Sequence, residues 1–183
     1  DYAVLTFHPV TLENHTAKSQ IKALMDAVSR YQDITFICTK ANADMDGRIV
    51  NKCIEEYSRK YGNIKLFDSL GMRRYMSALK YAKFVVGNSS SGIIEVPSFH
   101  IPTINIGDRQ KGRIQAKTVI NCEPEKNSII KAMSKAMSKD FREQIVKVSN
   151  PYGDGNTSEK IVDITKEFML NNRLKVQKKF FDL

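Results

Sequence analysis

Lys83-Phe84-Val85-Val86-Gly87-Asn88-Ser89-Ser90-Ser91-Gly92-Ile93-Ile94-Glu95 changes character twice within a few residues. Residues 83–87 are a short run of large and β-branched apolar side chains closed by a glycine, which reads as a strand buried on both faces. Residues 88–91 are small and polar, and a short helix is expected from about Ser91. A strand that feeds a helix through a tight loop is the repeating unit of a parallel sheet.

The chain on either side keeps the same alternation. Strands are expected at residues 3–7 (Ala-Val-Leu-Thr-Phe), 33–38 (Asp-Ile-Thr-Phe-Ile-Cys), 63–67, 101–106 and 118–121. Between them, residues 17–31 place Ile21, Leu24, Met25 and Val28 at helical spacing. Residues 47–61 place Ile49, Val50, Cys53, Ile54 and Tyr57 on one face, and residues 73–81 form a third helix. Three helices close the chain, at 125–138, 140–148 and 157–170, the last with Asn156 and Glu159 spaced as a capping box. Six strands alternating with helices predict an α/β fold, a Rossmann-like doubly wound and mainly parallel sheet with right-handed crossovers. No repeat, linker or low-complexity stretch divides it, so residues 1–183 read as one domain. Ligands of such sheets bind beyond the carboxyl ends of the strands.

Bulk properties narrow the class. A chain of 183 residues and 20.8 kDa buries roughly 70% of its unfolded surface, enough for a core without staples. No apolar run approaches the roughly 20 residues of a membrane span, and residues 1–10 lack the pattern of a signal peptide. Cys38, Cys53 and Cys122 are an odd, scattered set that fits neither a disulfide framework nor a zinc site, and a reducing cytoplasm suits them. No metal or other cofactor is expected. The chain opens almost directly on a strand without an initiator methionine, which predicts a piece of a longer protein. Net charge is +9, and residues 61–120 hold nine basic groups against three acidic ones. Such an excess suits nucleic acid, a membrane surface or a small anionic ligand.

The serine loop is the strongest local signal. Gly87 and Gly92 permit tight backbone geometry, and free N–H groups at a helix start, with three serine hydroxyls, form a cradle for phosphate. The same residues also read as an ordinary serine N-cap. Glu95, in the first helical turn, suits either the helix dipole or the hydroxyls of a ribose. After the next strand, Gly107-Asp108-Arg109-Gln110-Lys111-Gly112-Arg113 sets three cations in five residues, suited to a diphosphate or simply to solvent. His8 follows the first strand in His8-Pro9-Val10-Thr11, placed for acid–base work or for a bond to its own turn. His15 and His100 have no spaced partner ligands. Asn150-Pro151-Tyr152-Gly153-Asp154-Gly155-Asn156 is a turn-rich stretch whose following helix start offers a second set of N–H groups. Lysine and arginine crowd residues 173–179, ahead of Phe180-Phe181-Asp182-Leu183; this tail reads as solvated or as a docking segment.

Taken jointly, His8-Pro9-Val10-Thr11, Gly87-Asn88-Ser89-Ser90-Ser91-Gly92, the loop 107–113 and the stretch 150–156 resemble the C-terminal half of a UDP-N-acetylglucosamine 2-epimerase. That family has a glycosyltransferase-B type fold, two Rossmann-like domains with the nucleotide sugar between them. The resemblance implies that this chain is the UDP-holding domain and that its partner N-terminal domain lies outside it. It implies Ser90, Ser91 and Gly92 on the diphosphate with Arg113 as cationic partner, Glu95 on the ribose, and Phe67 and Tyr75 near uracil. His8 matches the family's active-site histidine. The implied partners are UDP and a UDP-sugar, with a homo-oligomer for the full-length protein and no role for nucleic acid or membrane. The family reaction eliminates UDP across C1–C2 to give a glycal. Water then adds in the hydrolysing branch, whereas UDP adds back in the non-hydrolysing one.

Non-hydrolysing members are expected to carry His-Arg-Arg-Glu-Asn where this chain has His8-Pro9-Val10-Thr11-Leu12. The present form looks more like the hydrolysing enzymes of sialic or legionaminic acid synthesis, and the departure removes any basis for assigning a contact to Glu13. Two alternatives remain at this point: a non-hydrolysing epimerase or other glycosyltransferase of the same architecture, and a non-catalytic basic module. The second requires aromatics interleaved with cations, and only Arg73-Arg74-Tyr75 and the Phe180-Phe181 tail offer that.

Overall fold

A computed structural model describes residues 1–10, 16–42 and 46–171. Thr11, Leu12, Glu13, His15 and the basic tail fall outside the described residues. The chain divides into two compact units, Asp1–Pro151 and Tyr152–Leu183. The first holds six strands: β1 (Tyr2–Thr6), β2 (Thr35–Thr39), β3 (Ile64–Phe67), β4 (Val85–Gly87), β5 (Thr103–Ile106) and β6 (Val119–Cys122). Its helices are α1 (Ala17–Val28), α2 (Gly47–Lys60), α3 (Gly71–Tyr81), the single turn α4 (Ser91–Ile94), α5 (Lys126–Met137) and α6 (Lys139–Ile145). The second unit contains α7 (Thr157–Leu170).

Every strand pairing is parallel, in the order β3-β2-β1-β4-β5-β6. The expected Rossmann-like sheet is therefore present, and the strand order reverses between β1 and β4. Successive residues of a strand face opposite sides. Ala3, Leu5 and Phe7 enter the larger core with Ile21, Leu24 and Met25 of α1, whereas Val4 packs with Leu79, Val85 and Val96 on the other face. Both sides of β1 are thus dry, which is why it reads as a continuous apolar run.

Element ends show where local chemistry prevailed over periodicity. α1 stops at Val28 because the N–H groups of Arg30 and Tyr31 turn back to Ala27 and Val28, tightening the last turn. β5 starts at Thr103, since Pro102 has no N–H to donate. Ile49 does not join the buried face of α2 but is 41% exposed. At about 100° per residue it lies roughly 120° from the centre of a stripe fixed by Val50 and Ile54. In the second unit, Asn156 precedes α7 without a side-chain cap, so the expected capping box is not formed; the Asp154 carboxylate instead accepts the Asn156 N–H at 3.1 Å.

Candidate functional site

Three loops meet at the carboxyl ends of β1, β4 and β5, where the strand order reverses and a parallel sheet opens a crevice. Gly87, the last residue of β4, has φ +142°, and a Cβ there would overlap the carbonyl of Thr6 on β1. Only glycine lets the two strands stay paired to this point. Asn88 follows, 1% exposed, and its backbone N–H donates to the Thr6 carbonyl at 3.2 Å.

The serine loop does not use a serine side chain as the cap of α4. Ser90 stands at the N-cap with helical angles and no side-chain bond, while Ser89 Oγ accepts the Ser91 N–H at 3.4 Å. Among the described residues the backbone N–H groups of Ser89 and Ser90 have no acceptor. α4 is only four residues long, so its aligned dipole is small and these unspent donors matter more. Gly92 is buried where α4 lies on β5; its carbonyl accepts the Thr103 hydroxyl at 2.8 Å, and a Cβ would come within 2.7 Å of the Thr103 methyl.

Ser91 Oγ and the Tyr75 hydroxyl share a 2.6 Å hydrogen bond. Burial pushes the Tyr75 phenol above its ordinary pKa and the charge of Glu95 adds to this, against the opposing bond to Ser91. Glu95 closes α4 with one carboxylate oxygen, Oε2, shut off from solvent and without a donor. Such an oxygen costs about 1–3 kcal/mol unless a partner arrives.

A cleft of about 340 Å³ joins Thr6, His8, Lys40, Asp68, Tyr75, Ser89 and Ser91. The Thr6 and Thr39 hydroxyls bond each other at 2.7 Å. Lys40 is held by Asp68 at 2.6 Å and Glu55 at 3.3 Å, and hydrogen bonds to both carboxylates raise its pKa. His8 Nδ1 accepts the Asn42 N–H at 3.2 Å, so the neutral ring carries its proton on Nε2.

The predicted residues are thus only partly brought together. His8, Tyr75 and Ser91 line the cleft, and Ser90, Gly92 and Glu95 belong to the turn beside it. Phe67 is 44% exposed at the end of β3, and its carbonyl accepts the Lys40 N–H at 3.1 Å. Arg113 is exposed in a separate polar cleft of about 360 Å³ beyond β5 and β6, with Asn105, Lys111 and Glu123. The cation that reaches the serine loop is Arg109, whose Nη1 donates to the Asn88 carbonyl at 3.1 Å beside Gln110 Nε2 at 2.8 Å. Asn88, Ser89, Arg109 and Gln110 were not singled out from the sequence, although each stands inside a motif already marked. His100 is exposed, in the left-handed region at φ 52°. A larger cleft, about 480 Å³, lies at the amino ends of the strands among Asp1, Asp33, Lys83 and Arg142, away from the crevice that the topology opens.

The sequence profile of the UDP-N-acetylglucosamine 2-epimerase family matches residues 1–166. The chain belongs to that family. It is 42% identical over 141 residues to GDP/UDP-N,N'-diacetylbacillosamine 2-epimerase (hydrolyzing) of Campylobacter jejuni, covering 76% of this chain and 36% of the relative. It is 36% identical along its whole length to polysialic acid biosynthesis protein P7 of Escherichia coli, covering 46% of that protein. Among solved structures, S. aureus MnaA with UDP superposes with a TM-score of 0.74 at 21% identity, over 100% of this chain and 48% of that one. UDP-GlcNAc 2-epimerase from Neisseria meningitidis bound to UDP-GlcNAc gives 0.76 at 19%, over 91% and 45%. These epimerase likenesses place the fold with the glycosyltransferase-B type, and the chain spans less than half the length of each of these relatives. Among the described residues no helix is long and apolar enough to cross a membrane.

Proposed function

We propose that this chain is the nucleotide-binding half of a hydrolysing UDP-N-acetylglucosamine 2-epimerase. The observation that carries the reading is a match of unspent hydrogen-bonding capacity along one turn. Free N–H donors at Ser89 and Ser90 begin it, and the orphaned Glu95 Oε2 ends it. A nucleoside diphosphate has the complementary order, with phosphate acceptors followed by the donor hydroxyls of a ribose.

In this reading the N–H groups and hydroxyls of residues 89–91, next to Gly92, hold the diphosphate. Glu95 accepts the ribose hydroxyls, and uracil lies towards Phe67 and Tyr75. Arg109 is already at the loop, whereas Arg113 joins the diphosphate only if its loop moves. The reaction removes the C2 proton of the sugar and breaks its C1–O bond, releasing UDP and a 2-acetamidoglycal. Water then gives its hydroxyl to C1 and a proton returns to C2 on the other face, yielding free N-acetylmannosamine. Negative charge grows on the departing diphosphate, so preorganised donors there favour the transition state over the substrate. His8 supplies acid–base chemistry from the end of β1. The carboxylates that complete the reaction belong to the other half of the enzyme, so this chain alone binds UDP weakly and turns nothing over.

His8-Pro9 and the name of the C. jejuni relative favour the hydrolysing outcome. That name also keeps a UDP-diacetamido-trideoxyhexose as the competing substrate. The full-length protein acts as a homo-oligomer in the cytoplasm, where three free cysteines stay reduced. An amide-labelled titration tests the reading: UDP shifts the signals of residues 87–95, and a single-stranded oligonucleotide leaves them in place. The reverse pattern refutes it. Product analysis of the full-length protein with both UDP-sugars then fixes the substrate.

A further inference from the structure

The end of β1 is tied across the switch point by one side chain. Asn88 Oδ1 accepts the N–H of His8 at 2.7 Å, and Asn88 Nδ2 donates to the carbonyl of His8 at 2.7 Å. Strand pairing has already stopped, since the last β1–β4 pair is Thr6 with Gly87. The carboxamide continues the ladder in place of a backbone. Its orientation is fixed, because a flipped amide would set N–H against N–H and carbonyl against carbonyl. Asn88 is itself held through its own carbonyl by Arg109 and by Gln110, which is 2% exposed.

We propose that Asn88 is a positioning residue for His8, registering the imidazole against the serine loop and coupling it to the loop after β5. The inference rests on His8 being a group of the active site. A buried asparagine that merely knitted loops together would stabilise the fold without regard to the ring. Here both carboxamide bonds go to the main chain of His8, the one histidine lining the cleft among the described residues, and its Nδ1 accepts the Asn42 N–H. A misplacement of about 1 Å at such a group lowers turnover by about a hundredfold.

The test is a double-mutant cycle of Asn88→Ala and His8→Ala in the full-length enzyme, with UDP affinity measured for each variant. Asn88→Ala is expected to slow sugar–UDP cleavage about 10- to 100-fold, with UDP affinity changed less than about threefold. The double variant is expected to be no slower than His8→Ala. Equal losses from Asn88→Ala with and without His8 overturn the proposal. Asn88→Asp, which keeps the acceptor and lacks the donor, runs the same cycle should the alanine variant not fold. If the wild-type enzyme cleaves no UDP-sugar, the functional reading fails by itself, and imidazole nitrogen spectra of His8 still decide the positioning role. The wild type shows Nδ1 as acceptor and Nε2 protonated, and Asn88→Asp shifts that pattern while leaving His100 unmoved. An unchanged His8 spectrum overturns the proposal.

Discussion

Glu95→Gln is the sharpest perturbation of the turn. The wild-type carboxylate keeps Oε2 dry and unpaired in the absence of ligand. Hydrogen bonds to a charged acceptor contribute about 1.5–3 kcal/mol. The amide removes the charge and turns a donor towards the ribose, so most of that contribution is lost. At about 1.4 kcal/mol per decade, UDP binding weakens roughly 10- to 100-fold. The free protein responds in the opposite sense when the orphan is replaced by an apolar group of similar length. Glu95→Met gains about 1 kcal/mol, or about 2–4 °C in Tm for a protein of this size. Calorimetric titration with UDP and with 2',3'-dideoxy-UDP separates the ribose contact from everything else. Glu95→Gln should weaken UDP strongly and the dideoxy analogue by less than about threefold. Equal losses for both ligands, or none for either, would refute a carboxylate that faces the ribose.

Gly87→Ala combines a backbone angle closed to L side chains with overlap against the Thr6 carbonyl, so it should cost about 3–5 kcal/mol; thermal unfolding checks this, and a loss under about 1 kcal/mol removes the close approach of β4 to β1. Burial would raise the Asp26 carboxyl, but hydrogen bonds from Lys22 and Tyr57 hold it below its ordinary pKa. A folded pKa below the unfolded one stabilises above the unfolded value and ceases to do so as pH falls through the folded value. Asp26→Asn should therefore be slightly less stable than wild type in urea at about pH 7, with the gap closing as pH falls below the ordinary carboxylate range; a gap independent of pH contradicts the assignment. Burial pushes the thiols of Cys38 and Cys122 up to about 12. At pH 8 only about one in ten thousand is thiolate, so mass spectrometry should find both unalkylated by iodoacetamide in the native protein and labelled in urea.

The sheet was legible because its central strands β1, β4 and β5 are dry on both faces and therefore stand out as short apolar runs between polar loops. All six strands and seven helices exist where the pattern places them, with ends displaced by a few residues at Pro102 and after Val28. The serine loop was legible as a cradle. Its partners were not, because they are set by strand order rather than by spacing. Asn88 and His8 are 80 positions apart and meet only because β4 lies beside β1. The choice between Arg109 and Arg113 was equally hidden. Asp108 and Gln110 accept the N–H groups of Lys111 and Arg113, and that winding sends Arg109 to the serine loop and Arg113 to the neighbouring cleft. A motif with three cations in five residues carries no record of which one the turn will aim.

The basic excess of residues 61–120 also acquires a different meaning once its side chains are placed. Lys83 pairs with Asp1 at the amino ends of the strands, Lys111 pairs with Asp108, and Arg73, Arg74 and Arg113 are exposed and do not line the serine cleft. Among the described residues the one lysine or arginine lining that cleft, Lys40, is already matched by Asp68 and Glu55. A diphosphate at the serine loop therefore meets neutral donors first: two backbone N–H groups and the hydroxyls of residues 89–91. Neutral donors in a preorganised site give direction and selectivity, but apart from Arg109, whose guanidinium is engaged by the Asn88 carbonyl, they bring two negative phosphates no counter-charge. In the proposed reading, further positive charge comes from Arg109 turning from the Asn88 carbonyl to the phosphates, from Lys40 leaving its carboxylates, or from the other half of the epimerase. Under that proposal, closing the two halves on a nucleotide sugar would complete the electrostatics of the leaving group. A hydrolysing epimerase of the proposed kind would gain from that arrangement, because cleavage would then be favoured only when the whole substrate, sugar and nucleotide together, has brought the halves into register.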